Sequence, residues 1–171
     1  MTATTSTDQR PGFLARLFGK RDDDLGALYA AVIAEARLPH WYATYGVPDT
    51  VDGRFDMVSL VLAIVLLRLE RDGRDLDAVR LTERFITDMD GQIRESGFGD
   101  LGVGKQVGGI LAVVGGRLGA YRTAIDVETL GRTLWRGQVP DNAEAALIRI
   151  GTVRGRIDSV PLDRLLAGQL G

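Results

Sequence analysis

The chain contains no cysteine and a single histidine, His40. Without a thiol there can be no disulfide, no cysteine nucleophile, no Cys-rich zinc site and no iron–sulfur cluster. A lone imidazole cannot assemble a paired-His metal site or a catalytic triad. Haem ligation by one His is the metal chemistry it leaves open, and a packed or surface histidine at a helix end is the simpler reading. Charge of one sign is also missing, since the net charge is -2. There is thus no strong electrostatic drive toward nucleic acid, and no DNA partner is expected. Long apolar runs are scarce too. The longest, "MVSLVLAIVLL" at 57–67, is closed by Asp56 and Arg68. A membrane-spanning helix needs roughly 20 apolar residues, so this run predicts a buried core helix. No apolar signal segment precedes Pro11, no stretch alternates with the period of a strand, and no internal repeat is visible.

What is present reads as helix. The spacing of Leu25, Leu28, Tyr29, Val32 and Ala36 predicts a helix capped by Asp24 and ended by Pro39. A short aromatic turn follows, with Gly46 suited to the position after a helix end. Asp49, with Asp52 three residues on, is expected to cap a second helix over about 50–71. Because that helix is apolar nearly all round, it should be the central one. A third helix, about 75–96, carries Leu76, Val79, Thr82, Ile86, Met89 and Ile93 on one face, widened by Phe85, and ends at Gly97. Next, "GVGKQVGGILAVVGGRLGAY" places Val103, Val107, Ile110, Val114, Leu118 and Tyr121 on one helical face. Gly104, Gly108, Ala112, Gly115 and Gly119 fall beside them. Each interior Gly costs a helix about 1 kcal/mol against Ala. Close approach of another helix backbone is the expected reason for so many. Shorter helices are expected from Asp126 to a stop at Gly137, from Pro140 to a stop at Gly151, and near Pro161. The fold class is therefore all-α, a single helical domain of about six to seven helices over 22–171. A leader over 1–21 precedes it. The leader opens with a polar segment that lacks the residues to build a core. It continues as "RPGFLARLFGKR", a short basic amphipathic stretch in which Phe13, Leu14, Arg16, Leu17 and Phe18 are candidates to touch a membrane surface. The other reading is that its apolar residues dock on the domain.

No catalytic constellation emerges. "GVGK" at 102–105 lacks the long Gly-rich loop, the following Ser/Thr and the preceding strand of a phosphate loop. Asp88, Asp90 and Asp100 could suggest a metal-dependent enzyme as a rival reading. However, Asp88 and Asp90 point to different sides of a helix, and a solvated acidic face accounts for them. Ser and Thr residues show no nucleophile elbow. No cofactor is implied and the chain reads as a non-enzyme. The remaining signal is a cluster of Trp41, Tyr42, Tyr45, Arg54 and Phe55, side-chain types that anchor protein interfaces. The same rings could equally pack into the domain's own core.

Four blocks of sequence decide between these readings: "WYATYGVPDTVDGRFDMVSLVLAIVLLRL", "LTERFITDMDGQIRESGFGDLGVGK", "GRLGAY" and "LWRG". In this order, over roughly 40–137, they resemble the ubiquinol–cytochrome c chaperone family, assembly factors of the cytochrome bc1 complex. The leader "FLARLFGKR" is similar to the start of bacterial members. The resemblance implies a helical, non-enzymatic chaperone that binds newly made cytochrome b or another bc1 subunit. By the same resemblance, a ribosome contact and a small partner protein are implied for mitochondrial members. The expected location is cytoplasmic, peripheral on the cytoplasmic face of the inner membrane. A client-binding chain should offer an apolar groove with a charged rim. Its walls are expected at the aromatic corner (Trp41, Tyr42, Tyr45, Pro48, Asp49, Arg54, Phe55) and at the glycine face (Gly104, Gly108, Gly115, Gly119, with Tyr121). The alternative is a membrane-surface scaffold that works through the leader.

Overall fold

The apolar run of 57–67 lies within one long helix of the computed structural model of the chain, which describes residues 24–95 and 103–171. The elements are α1 (Asp24–Ala36), α2 (Pro39–Ala43), α3 (Val51–Arg71), α4 (Asp75–Glu95), α5 (Val103–Thr123), α6 (Val127–Thr133), α7 (Ala143–Ser159) and α8 (Leu162–Leu166). Every regular element among the described residues is a helix. The leader candidates Phe13, Leu14, Arg16, Leu17 and Phe18, and Asp100 of the rival metal reading, lie outside those residues.

As its composition predicts, α3 is the centre. Every residue from Asp56 to Leu66 is buried, and α1, α4, α5 and α7 all pack against it. Burial on every side is what an all-round apolar helix needs, since each large side chain removed from water contributes about 1.5–3 kcal/mol. Its start differs from expectation. Thr50, not Asp49, is the N-cap, and its hydroxyl accepts from the Gly53 amide at 3.1 Å. Asp49 instead accepts from Arg54 Nε at 2.7 Å on the surface. Gly53 has a steric role that spacing cannot show. A Cβ there would lie 1.9 Å from the Pro48 carbonyl oxygen and 3.0 Å from Pro48 Cβ. Glycine thus lets the chain fold back on the first turn of α3. Gly53→Ala is expected to cost about 1–3 kcal/mol through overpacking. Gly108→Ala, where nothing lies within 4 Å of the added carbon, should gain about 0.5–1 kcal/mol from helix propensity. Urea unfolding of the two variants checks both signs.

Two further departures have clear physical causes. Helix α7 does not stop at Gly151; it runs to Ser159 through Gly151 and Gly155. Both glycines lie on its exposed side, while Ala146, Ile150, Val153 and Ile157 continue one buried stripe. Burial of that stripe outweighs the propensity cost of the glycines. Pro39 ends α1 but also begins α2, where a ring with no N–H is tolerated. Where the sequence predicts only a turn, α2 forms a short helix, and it carries the first two aromatic side chains of the corner.

Candidate functional site

The aromatic corner folds inward. The Trp41 indole is 1% exposed, and its Nε1–H donates to the Glu35 carbonyl at 2.9 Å. The Tyr42 hydroxyl donates to the Ala36 carbonyl at 2.8 Å. These two carbonyls end α1 and have no partner within it, so the two rings cap that helix with their polar tips. Tyr45 packs at 5.6 Å from Trp41, and its carbonyl accepts from Trp135 Nε1 at 3.2 Å. Gly46, at φ +70, abuts Pro140, whose Cβ would meet an added carbon at 2.8 Å. His40 stacks on the same cluster with a buried, unpartnered Nε2. Burial first, and then the nearby Arg149, pushes its imidazole below the ordinary value. Protonation would place a second N–H where no acceptor waits.

Next to this corner lies a buried charge. Asp56 is 0% exposed and accepts from Arg136 Nε at 2.6 Å, from Arg136 Nη2 at 3.1 Å and from Arg117. Arg117 also lies over the Phe55 ring, 5.2 Å from its centroid, and Phe55 packs at 5.7 Å from Phe85. Arg136 adopts a left-handed backbone (φ 51), rare for a residue with a side chain, and this places its guanidinium on Asp56 and Asp52. The blocks around "GVPDTVDGRFD" and "LWRG" therefore meet in space. They form a joint that ties α3 to α5 and to the turn after α6. In this fold the corner leaves Tyr42 half-buried and Asp49 and Arg54 exposed, beside a shallow cleft that also includes Arg37 and Pro39.

The open surface lies on α4 and α5. Helix α4 buries Ala78, Leu81, Phe85 and Met89, a stripe turned away from the one its apolar spacing suggests. Leu76 and Val79 are left 74% and 54% exposed. The buried stripe includes Phe85, which faces α3 and Phe55, and that contact sets the rotation of the helix. On α5, Ile110, Val114 and Tyr121 are buried as the face analysis predicts, with Leu118 half-buried. Tyr121 is thus a core residue whose hydroxyl bonds Thr133 Oγ1 at 2.8 Å. The glycines do not meet another helix among the described residues. Gly108, Gly115 and Gly119 would each accept a Cβ with nothing within 4 Å. Gly104 occupies the second position of α5. The glycine side of α5 faces outward, with Leu111 and Val113 exposed among its small residues. Between α4 and α5 runs an open groove of about 650 Å³. Its floor includes Leu66, Ala78 and Leu118, its apolar flanks Val79, Ile86 and Leu111, and its rim Glu70, Asp75 and Glu83. This apolar groove with a charged rim lies along α5, which carries the glycine face, and its lining includes no residue of the aromatic corner.

No group of His, Cys, Asp or Glu among the described residues is arranged to hold a metal ion. Asp88, from the rival metal reading, accepts from the Tyr29 hydroxyl at 2.7 Å; burial first, and then this bond, pushes the phenol well above its ordinary value.

The model of the ubiquinol–cytochrome C chaperone family matches residues 43–170. The chain belongs to this family. The solved Cbp3 homolog from Brucella abortus has the same fold: its TM-score is 0.77 at 27% identity, over 92% of this chain and 94% of that one. No curated protein matches the chain. As a chaperone-family chain it has the all-α architecture with a central apolar helix that its sequence predicts. No helix among its described residues is long and apolar enough to cross a membrane.

Proposed function

We propose that this chain is a non-enzymatic assembly chaperone of the cytochrome bc1 complex, and that it holds newly made cytochrome b against the open face of α4 and α5. Membership of the chaperone family supports the assembly role. The site rests on one observation: the glycine face of α5 is open to solvent, with no neighbouring atom within 4 Å of the positions an added Cβ would take. A helix face that spends propensity on glycine and packs against nothing among the described residues is suited to the close approach of another backbone. The apolar flanks Val79, Ile86 and Leu111 supply the burial that such a partner needs. A transmembrane segment of cytochrome b, apolar and not yet packed, has the matching chemistry. The chaperone acts as a peripheral protein on the cytoplasmic face of the inner membrane, where such a client emerges. The exposed Asp49 and Arg54, with Tyr42, form a secondary, polar flank.

The test separates folding from binding. In a deletion strain, reduced-minus-oxidised spectra of washed membranes are expected to lose the bc1 haem bands, and the wild-type gene to restore them. Gly108→Leu/Gly115→Leu should fold with equal or greater stability, because leucine gains about 0.8 kcal/mol of helix propensity over glycine at each site. It should nevertheless restore less than a third of the bc1 signal. Unchanged bands in the deletion strain would overturn the assembly role. Full restoration by the double variant would move the site off α5.

A further inference from the structure

Resting on the client-site reading above, we infer that the α4/α5 groove takes only the cytoplasmic end of a client helix, about three turns with basic flanks, and leaves the rest of the transmembrane span uncovered. The walls determine the conformation of the occupant. The groove is lined by residues of α3, α4 and α5. The backbone groups of these helices are paired within them, so the walls present no strand edge. An occupant must satisfy its own backbone hydrogen bonds, which in an apolar setting requires a helix. The α4 wall repeats at Asp75, Val79, Thr82 and Ile86, and the α5 wall at Leu111 and Leu118. These are the spacings of a seam along which a further helix can lay its own side chains.

Length limits how much of the client is held. The lining follows α4 from Asp75 to Thr87, about 18 Å at 1.5 Å per residue. A membrane span needs about 20 residues and 30 Å, so the groove covers little more than half of one. Charge selects which half. Glu70, Asp75 and Glu83 line the groove and no cation does. Glu70 is held by Arg122 at 2.7 Å. Asp75 and Glu83 are exposed and form no ion pair among the described residues. The middle of a span is uncharged and offers these two carboxylates nothing. Its cytoplasmic end has the Lys and Arg that flank transmembrane helices on that side. Asp75 and Glu83 stand about 12 Å apart along α4, so two cations about two turns apart on the occupant can meet both. With so small an apolar lining, these pairs supply much of the selectivity.

Fluorescence anisotropy with the full chain is the test. The probe is a labelled helical peptide of about 14 residues, with a leucine seam and two lysines about two turns apart on one flank. It should bind at least about fivefold more tightly than the same peptide with glutamates for the lysines, and the difference should shrink as salt rises from about 0.1 to 0.5 M. A central proline, which breaks the helix, should weaken binding at least about tenfold. Asp75→Asn/Glu83→Lys should reverse the preference, and its tighter binding of the glutamate peptide also shows that the variant is folded. Equal binding of the two peptides to the wild-type chain, binding of neither, or an unreversed preference in the variant would overturn the charged-end assignment. Undiminished binding of the proline peptide would overturn the helical occupant. The bc1 spectra of the deletion strain and of Gly108→Leu/Gly115→Leu are separate readouts, so failure here and failure of the client-site reading can be told apart.

Discussion

Asp56→Ala is expected to destabilise the protein by about 3–5 kcal/mol, the cost of removing one side of a buried ion pair. Asp56 is fully buried and is met by two guanidiniums, those of Arg117 and Arg136. Arg117 is itself largely buried and has a further nitrogen, Nη1, with no partner. Without the carboxylate, two positive charges would face each other across an apolar pocket beside Phe55. Arg136 would also lose the contact that supports its left-handed backbone. Since the joint connects α3 with α5 and the turn after α6, the loss should appear as global unfolding at lower urea, with no change in slope. Arg136→Gly is the informative companion. It relieves the backbone and leaves Arg117 on Asp56, so its cost should be distinctly smaller than that of Asp56→Ala.

Arg68→Met should be nearly as damaging, at about 3 kcal/mol, for the opposite geometric reason. Here a buried cation serves helix-end carbonyls. Arg68 Nη1 donates to the Ile157 and Asp158 carbonyls at 2.7 Å each, and Nη2 to the Val160 carbonyl at 3.1 Å. Its Nε donates to Asp72 at 2.7 Å. The last carbonyls of α7 have no partner within their own helix and lie at its negative end, so the guanidinium satisfies both their hydrogen bonding and the dipole. Methionine keeps the stem's apolar packing and removes the donors, which isolates the polar part of the loss. Lys should recover only part of it, because one ammonium cannot span three carbonyls as a planar fork does. Thermal unfolding of Arg68→Met and Arg68→Lys measures both values.

These two residues also show where sequence reading stops. Asp56 and Arg68 read naturally as the polar ends of an apolar run. Both lie inside the protein, and apart from the local pair of Arg68 with Asp72 their partners are 61 to 92 residues away along the chain. Nothing local marks such a pairing. What depends on local pattern was legible: the apolar run as the central helix, Asp126 as a cap accepting from the Thr129 amide at 2.7 Å, and the buried side of α5. The face of α4 was misread because its apolar stripe is wide enough to be turned either way, and only the contact of Phe85 with α3 settles the rotation. The glycines of α5 stand out in the sequence because each costs helix propensity, and only the fold shows that Gly108, Gly115 and Gly119 have no neighbour within 4 Å of an added Cβ. The part played by α4, whose Val79 and Ile86 line the groove, required the fold.

The two ends of the described chain are locked together. Helix α8 packs on α1. A carbon added to Gly168 would meet the Ala27 carbonyl oxygen at 2.6 Å, Arg156 Nη2 holds Glu35 at 2.8 Å, and Leu170 is buried. During synthesis α1 is made first, yet the residues that complete its packing come about 140 positions later. At 5–20 residues per second that is a delay of roughly 7–28 s. For that interval Leu28 and Val32, both fully buried in the finished fold, have only part of their cover. Helix α1 is therefore closed late, and a ribosome stalled before residue 168 would carry a chain in which α1 lacks part of its cover.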